Sequence, residues 1–139
     1  MGVVKYNEAE VKLLARLMRA EAEGDGTKGM LLVGNVGINR VRGNCLDFKD
    51  IRSIESMVFQ SPGGFEATQK NYFYQAAREA DIKLARRVIK GERFTPGTTS
   101  LWFYNPFGES CRAQWWGQWN TGKYKSHCFY SPLDSENCY

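Results

Sequence analysis

The stretch NEAEVKLLARLMRAEAEGD, Asn7 to Asp25, reads as one long helix together with its exit. Val11, Leu14, Leu17 and Met18 form an apolar stripe at helical spacing, and the next position on that stripe is Glu21, seven residues after Leu14 and four after Leu17. A carboxylate stands where an apolar residue is due. Asn7, with Glu10 three residues on, predicts an N-cap with a capping box, and Gly24 and Gly26 let the chain leave the helix. Glu21 then falls in the last turn, at the mouth of a loop. Turned into the protein, it would have its pKa raised by partial desolvation and by the negative end of the helix dipole, which is the condition for a general acid near neutral pH. Periodicity leaves a second reading open, a carboxylate at the edge of the stripe that reaches water or an arginine. Glu23 differs, because Arg16 and Arg19 lie seven and four residues before it and give it a solvated, charge-paired side.

Downstream, Thr27 is the expected N-cap of a second helix from Lys28 to about Val41, whose Gly29, Gly34 and Gly37 lower intrinsic helicity by roughly 1 kcal/mol each against alanine. Close packing against the first helix is the expected compensation. Asn39 and Arg40 read as a carbonyl-capping amide and a dipole-favoured cation at the helix end. Ser53 is the expected N-cap of a short helix through Gln60, and SPGG at 61–64 turns the chain towards Phe65 and Glu66. A third long helix is expected over Tyr74 to Lys90, burying Ala76, Ala77, Ala80, Leu84, Ala85, Val88 and Ile89. From Thr95 the texture changes to aromatics, β-branched residues and Pro/Gly breaks, with strands expected over Ser100 to Tyr104 and Ser126 to Tyr130.

Between those strands lies FGESCRAQWWGQWNTGKYK, with Trp115, Trp116 and Trp119 close together. Flat aromatics beside amides and hydroxyls suit a sugar cleft, because rings stack on the apolar faces of pyranoses while Asn and Gln bond the hydroxyls. Tryptophans that staple a loop to the helices would look the same. His127, the only histidine, reads as a structural or substrate-orienting residue.

The chain of 139 residues suits one domain able to bury a core without help from metals or disulfides. The most apolar segment, Met30 to Ile38, is interrupted by Gly34, Asn35 and Gly37 and is too short to span a bilayer, so membrane insertion is not expected. MGVVKYNEAEVK has no apolar h-region, and no signal peptide is expected. A net charge of +4, with Arg86, Arg87, Lys90 and Arg93 as the one basic cluster, is too small a stripe for nucleic acid but suits another anionic polymer such as cell-wall glycan. Cys45, Cys111, Cys128 and Cys138 are widely spaced. A zinc site drawn from Cys111, His127, Cys128 and Cys138 matches none of the usual ligand spacings, so no metal or cofactor is expected. Reduced thiols are the expectation during synthesis, with later oxidation left open.

LLARLMRAEAEGD resembles the LLARxxxGEARGE signature of the SleB/CwlJ family of spore-cortex-lytic cell wall hydrolases. The likeness continues in order through Asn39, Arg40 and Val41, through Val58, Phe59 and Gln60 with the turn to Phe65, through ARRVIKGE at 85–92 and FYNP at 103–106, to His127 and Phe129. It departs at Ala20, Glu23 and Asp25, where the signature has Gly, Arg and Glu. The resemblance implies an α+β fold, a mainly helical, lysozyme-like single domain over residues 1–139 with a small antiparallel β element. It puts the catalytic Glu at Glu21, the residue the helical stripe singles out independently. By the matching motifs, Gln60, Phe65, Tyr104, Asn105 and His127 would position substrate, while Trp115 and Trp116 rest on the aromatic argument alone.

The implied activity is a muramidase-type glycosidase on peptidoglycan of the spore cortex during germination, cleaving the MurNAc-GlcNAc β-1,4 bond as a lytic transglycosylase with one carboxylate. Glu66 and Asp81 are the candidates for a second. The chain resembles the short, CwlJ-like form of the family, which implies synthesis in the mother cell, placement at the boundary of spore coat and cortex, a GerQ-like coat protein as partner, and activation linked to calcium dipicolinate. The alternative is a non-catalytic peptidoglycan-binding or spore-coat structural protein. An amidase or peptidase would call for a zinc site or a Cys/His pair.

Overall fold

The computed structural model describes residues 3–43, 45–60, 64–115 and 117–138. Among these, helices α1 (Glu8–Ala22), α2 (Gly26–Arg42), α3 (Ile54–Val58) and α4 (Glu79–Ile89) precede strands β1 (Trp102–Tyr104), β2 (Gln114–Trp115), β3 (Gln118–Tyr124) and β4 (His127–Ser131). The strands form one antiparallel sheet in the order β1-β4-β3-β2. The architecture is the expected α+β one, mainly helical with a small antiparallel sheet. No helix among the described residues is long and apolar enough to cross a membrane.

Local chemistry sets the first helix. Asn7 accepts the Glu10 N–H and Glu10 reaches back to the Asn7 N–H, which completes the capping box. Val11, Leu14, Leu17 and Met18 are all buried, and α2 and α4 pack against the same stripe. Gly34 lies between them: a Cβ there would lie 3.0 Å from Met18 Cε and from Val88 Cγ2. The glycine that weakens α2 as an isolated helix is what lets three helices share one core.

Three expectations are corrected. Helix α2 begins at Gly26 rather than Lys28, with Asp25 in the N-cap position and Thr27 exposed; Gly26 takes φ +79°, a conformation that Thr27 could not supply cheaply. Asn39 does not cap its own helix: its amide donates to the carbonyls of Gly97 at 3.0 Å and Ser100 at 2.9 Å, tying α2 to the approach of β1. Helix α4 starts at Glu79, so Ala76 and Ala80 are exposed while Asp81 and Ile82 are buried. The Arg78 side chain grips the Asp81 carboxylate at 2.7 Å, which puts a satisfied charge in the first turn and leaves residue 78 extended.

The two expected strands are present, as β1 and β4, and β2 and β3 are additional. The β3–β4 hairpin pairs Tyr124 with His127, so Lys125 (φ +48°) and Ser126 form its turn. Residues of β4 alternate between faces. Phe129 packs on Leu32 and Val36 of α2, and Cys128 and Tyr130 face away from the helices. Cys128 is bonded to Cys111, and Cys45 to Cys138, so no described cysteine is a thiol. These bonds take all four sulfurs out of any zinc set.

Candidate active site

Helix α1 delivers Glu21 in its last turn to the floor of a cavity of about 720 Å³ between the helices and the sheet. One carboxylate oxygen accepts the Ala67 N–H at 3.1 Å. Burial pushes the Glu21 carboxyl above the ordinary 4.5; the Ala67 N–H and then His127 pull against that rise, Glu66 adds to it and Lys70 opposes it. The result is an acid that holds its proton to a higher pH than a solvated carboxyl.

Arg40 lines the same cavity. Its Nε donates to the Leu101 carbonyl at 2.8 Å, and its guanidinium carbon lies 4.5 Å and 4.7 Å from the ring centroids of Phe65 and Phe48. Burial brings its pKa down from 12.5 to about 10, against the pull of Glu21, so it is still a cation at neutral pH. The cavity therefore holds a fixed positive charge behind the acid. Reading Arg40 from the sequence as a helix-end cation missed this, although Arg40 stands in the Asn39–Val41 element of the family likeness and adjoins a strongly apolar stretch.

His127 enters from the first residue of β4. Its Nδ1 is 2.8 Å from Asp25 Oδ2, and the Ser126 hydroxyl donates to the same carboxylate at 2.7 Å. With Nδ1 donating to Asp25, Nε2 is the nitrogen left for the cavity. The Phe103 ring packs edge-on to the imidazole at 5.1 Å between centroids, fixing its plane. Asp25 is buried and was also missed; a loop aspartate after a helix carries no local mark of a partner on a distant strand.

Of the residues singled out from the sequence, Glu21, Phe65, Tyr104, Asn105, Trp115 and His127 all line this one cavity. Tyr104 and Trp115 are in ring contact at 4.8 Å, and Tyr104 stacks on Tyr130 at 5.6 Å, so the sheet side is an aromatic wall. Gln60 is not among the lining residues; its amide donates to the carbonyl of Asp47, which does line the cavity. Trp116 lies outside the described residues. Of the two candidates for a second carboxylate, Glu66 is at the cavity, exposed and 3.5 Å from Lys70, whereas Asp81 is held by Arg78 away from it. Asp47 is a further carboxylate on the lining, reached only through the fold. Among the described residues no group of His, Cys, Asp and Glu is arranged to hold a metal ion.

Residues 24–130 match the family described as Cell Wall Hydrolase, a span that begins just after Glu21. The chain is 70% identical over 136 residues to cell wall hydrolase CwlJ of Oceanobacillus iheyensis, covering 98% of this chain and 96% of that protein. It is 55% identical over 138 residues to cell wall hydrolase CwlJ of Bacillus subtilis, covering 99% and 95%. Among solved structures, the catalytic domain of the Bacillus cereus SleB protein superposes with a TM-score of 0.72 at 23% identity, covering 91% of this chain and 93% of that one. The catalytic domain of the germination-specific lytic transglycosylase SleB from Bacillus anthracis gives 0.72 at 21% identity, covering 91% and 97%. At those identities the likeness is one of fold.

Proposed function

Because the chain belongs to the cell wall hydrolase family, we propose that it is a lytic glycosidase of spore-cortex peptidoglycan, with residues 1–139 as its catalytic domain and Glu21 as its acid. The observation that carries this reading is the Glu21 carboxyl, half-buried and proton-retaining, in an aromatic-walled cavity of a size that takes several sugar atoms at once.

In the reaction, Glu21 gives its proton to the glycosidic oxygen as the bond from that oxygen to the anomeric carbon of N-acetylmuramic acid breaks, and positive charge spreads over the ring carbon and oxygen. The carboxylate left behind then takes the proton of the muramic 6-hydroxyl as that oxygen bonds the anomeric carbon. This leaves a 1,6-anhydro end and restores the acid. His127, held by Asp25, and Asn105 orient sugar hydroxyls, while Tyr104 and Trp115 offer ring faces to the pyranoses. Arg40 keeps the floor of the cavity positive, which favours the carboxylate formed after proton donation.

A second reading, hydrolysis by water with a reducing end, is favoured by Asp47 and Glu66 on the same lining, either of which would be its base. Mass spectrometry of muropeptides released from purified cortex by the protein and by Glu21→Gln separates these possibilities. Anhydro-muramic ends from the unmutated protein alone are expected. Reducing ends would indicate hydrolysis, and unchanged release by Glu21→Gln would remove Glu21 as the acid. Absence of release with intact binding would leave a non-catalytic wall-binding protein. Placement at the coat and cortex boundary, through a GerQ-like coat protein, is the partner reading that goes with this activity, and fractionation of spores with and without such a protein tests it.

A further inference from the structure

Phe107 is the most exposed of the large hydrophobic side chains among the described residues, 87% accessible, and it also lines the cavity that holds Glu21. One exposed aromatic is unremarkable on a loose loop. Phe107 is not on a loose loop. Its own N–H donates to Asn105 Oδ1 at 2.7 Å, and the Glu109 N–H donates to the Pro106 carbonyl at 3.2 Å. The turn so closed has two left-handed central residues, Phe107 at φ +50° and Gly108 at φ +87°. Glycine takes that conformation freely, but a phenylalanine does so only under constraint.

The far end of the segment is anchored as well. Cys111 is bonded to Cys128 of β4, the Arg112 N–H donates to the Tyr104 hydroxyl at 3.3 Å, and the Arg112 carbonyl accepts from the Tyr130 hydroxyl at 2.7 Å. A turn closed by two hydrogen bonds, a disulfide and two tyrosines thus hold a hydrophobic ring out in solvent, where it packs on no core cluster. The ring adds a further flat face beside the Tyr104–Trp115 wall, at the rim of the same cavity. A planar ring matches the C–H face of a pyranose, and an aromatic needs no partner charge to do so.

We propose that Phe107 is the stacking platform of an outer sugar subsite, which engages a pyranose of the glycan strand beyond those flanking the cleaved bond and makes the protein favour long strands over short fragments. This rests on the glycan-cleaving reading above. The proline, the disulfide and the asparagine-closed turn keep the platform in place before substrate arrives, so little ordering is left to be done on binding.

The test uses Glu21→Gln protein, so that ligand survives, and unsubstituted muroglycan fragments of two, four, six and eight sugars, with binding read by tryptophan fluorescence. Affinity is expected to rise with length, and Phe107→Leu is expected to remove about threefold to tenfold of affinity for the longer fragments only. Phe107→Trp should retain the length preference, since it keeps the flat face that Leu lacks. An equal loss at every length, or no loss, would overturn the subsite and leave the glycosidase reading standing. Failure to bind fragments of any length, together with no muropeptide release by the unmutated protein, would overturn both.

Discussion

Asp25 and His127 are 102 residues apart in sequence and 2.8 Å apart in space, joined from Asp25 Oδ2 to His127 Nδ1. The bond fastens the junction of α1 and α2 to the first residue of β4, an inner strand of the sheet. It crosses from the element that carries the acid to the wall that faces it. Asp25→Ala should leave the Ser126 hydroxyl and His127 Nδ1 without their acceptor and cost about 2 kcal/mol, read by denaturant unfolding. Asp25→Asn, which keeps an acceptor oxygen, should cost less. Muropeptide release should fall in both, and more steeply in the alanine variant. Gly29→Ala provides a check from the other side, because its Cβ would come to 2.4 Å from the Asp25 Cβ and push the carboxylate off its partner.

The pH behaviour follows from burial of Glu21. Its folded pKa lies above the ordinary 4.5, so between those two values the folded protein binds more protons than the unfolded chain. The stability associated with this group is fully present below the ordinary carboxylate pKa and is lost as pH rises through the raised one. Glu21→Gln, which does not titrate, should therefore gain stability relative to the unmutated protein on going from pH 4 to pH 8. Paired urea titrations at the two pH values measure the difference directly. On the proposed mechanism, in which Glu21 donates the proton, cortex lysis should decline over the same upper range.

Arg40→Lys keeps the charge but loses the Nε–H to Leu101 and the flat face between Phe48 and Phe65, and should cost about 1–3 kcal/mol. Arg40→Gln removes the charge, and with it the pull that favours ionised Glu21. The upper limb of the pH–lysis profile should then move to higher pH, an effect that loss of packing alone would not produce.

Reduction should loosen the cavity from two sides. Cys45–Cys138 joins residues 93 apart, and Cys111–Cys128 joins residues 17 apart, for which loop-closure entropy predicts about 4–5 and about 3 kcal/mol. Thiol titration of the unfolded protein should find no reactive cysteine before reductant and four after it. Thermal unfolding should shift down by many degrees, and tryptophan fluorescence should report the change around Trp115.

What could be read from the sequence was local. The Asn7–Glu10 capping box, the stripe through Met18 and the intrusion of Glu21 each depend on residues within a few positions of one another, and each is present in the fold. The start of α4 was misplaced because Ala76, Ala77 and Ala80 continue a helical pattern, while the Arg78–Asp81 grip that ends it is a pairing of side chains. Strands β2 and β3 were hidden because Gln114, Gln118, Asn120, Gly122 and Lys123 dilute the β signal of Trp115, Trp119, Thr121 and Tyr124; pairing with β4 makes β3 a strand. Arg40 and Asp25 took their places at the site only when partners more than sixty positions away, Leu101 and His127, arrived.

The alternation along β4 also bears on how such a protein can change. His127 and Phe129 face the helices, whereas Cys128 and Tyr130 hold the segment that carries Phe107 to the rim of the same cavity. On the proposals above, odd and even positions of a single five-residue strand serve the chemistry and the reach along a polymer respectively. The arm from Pro106 to Ala113 can be lengthened, shortened or exchanged without altering Glu21, Arg40, Asn105 or His127. A lineage adapting to a wall of different strand length, or an engineer grafting a new arm, has a module here whose replacement leaves the proposed acid and its partners in place.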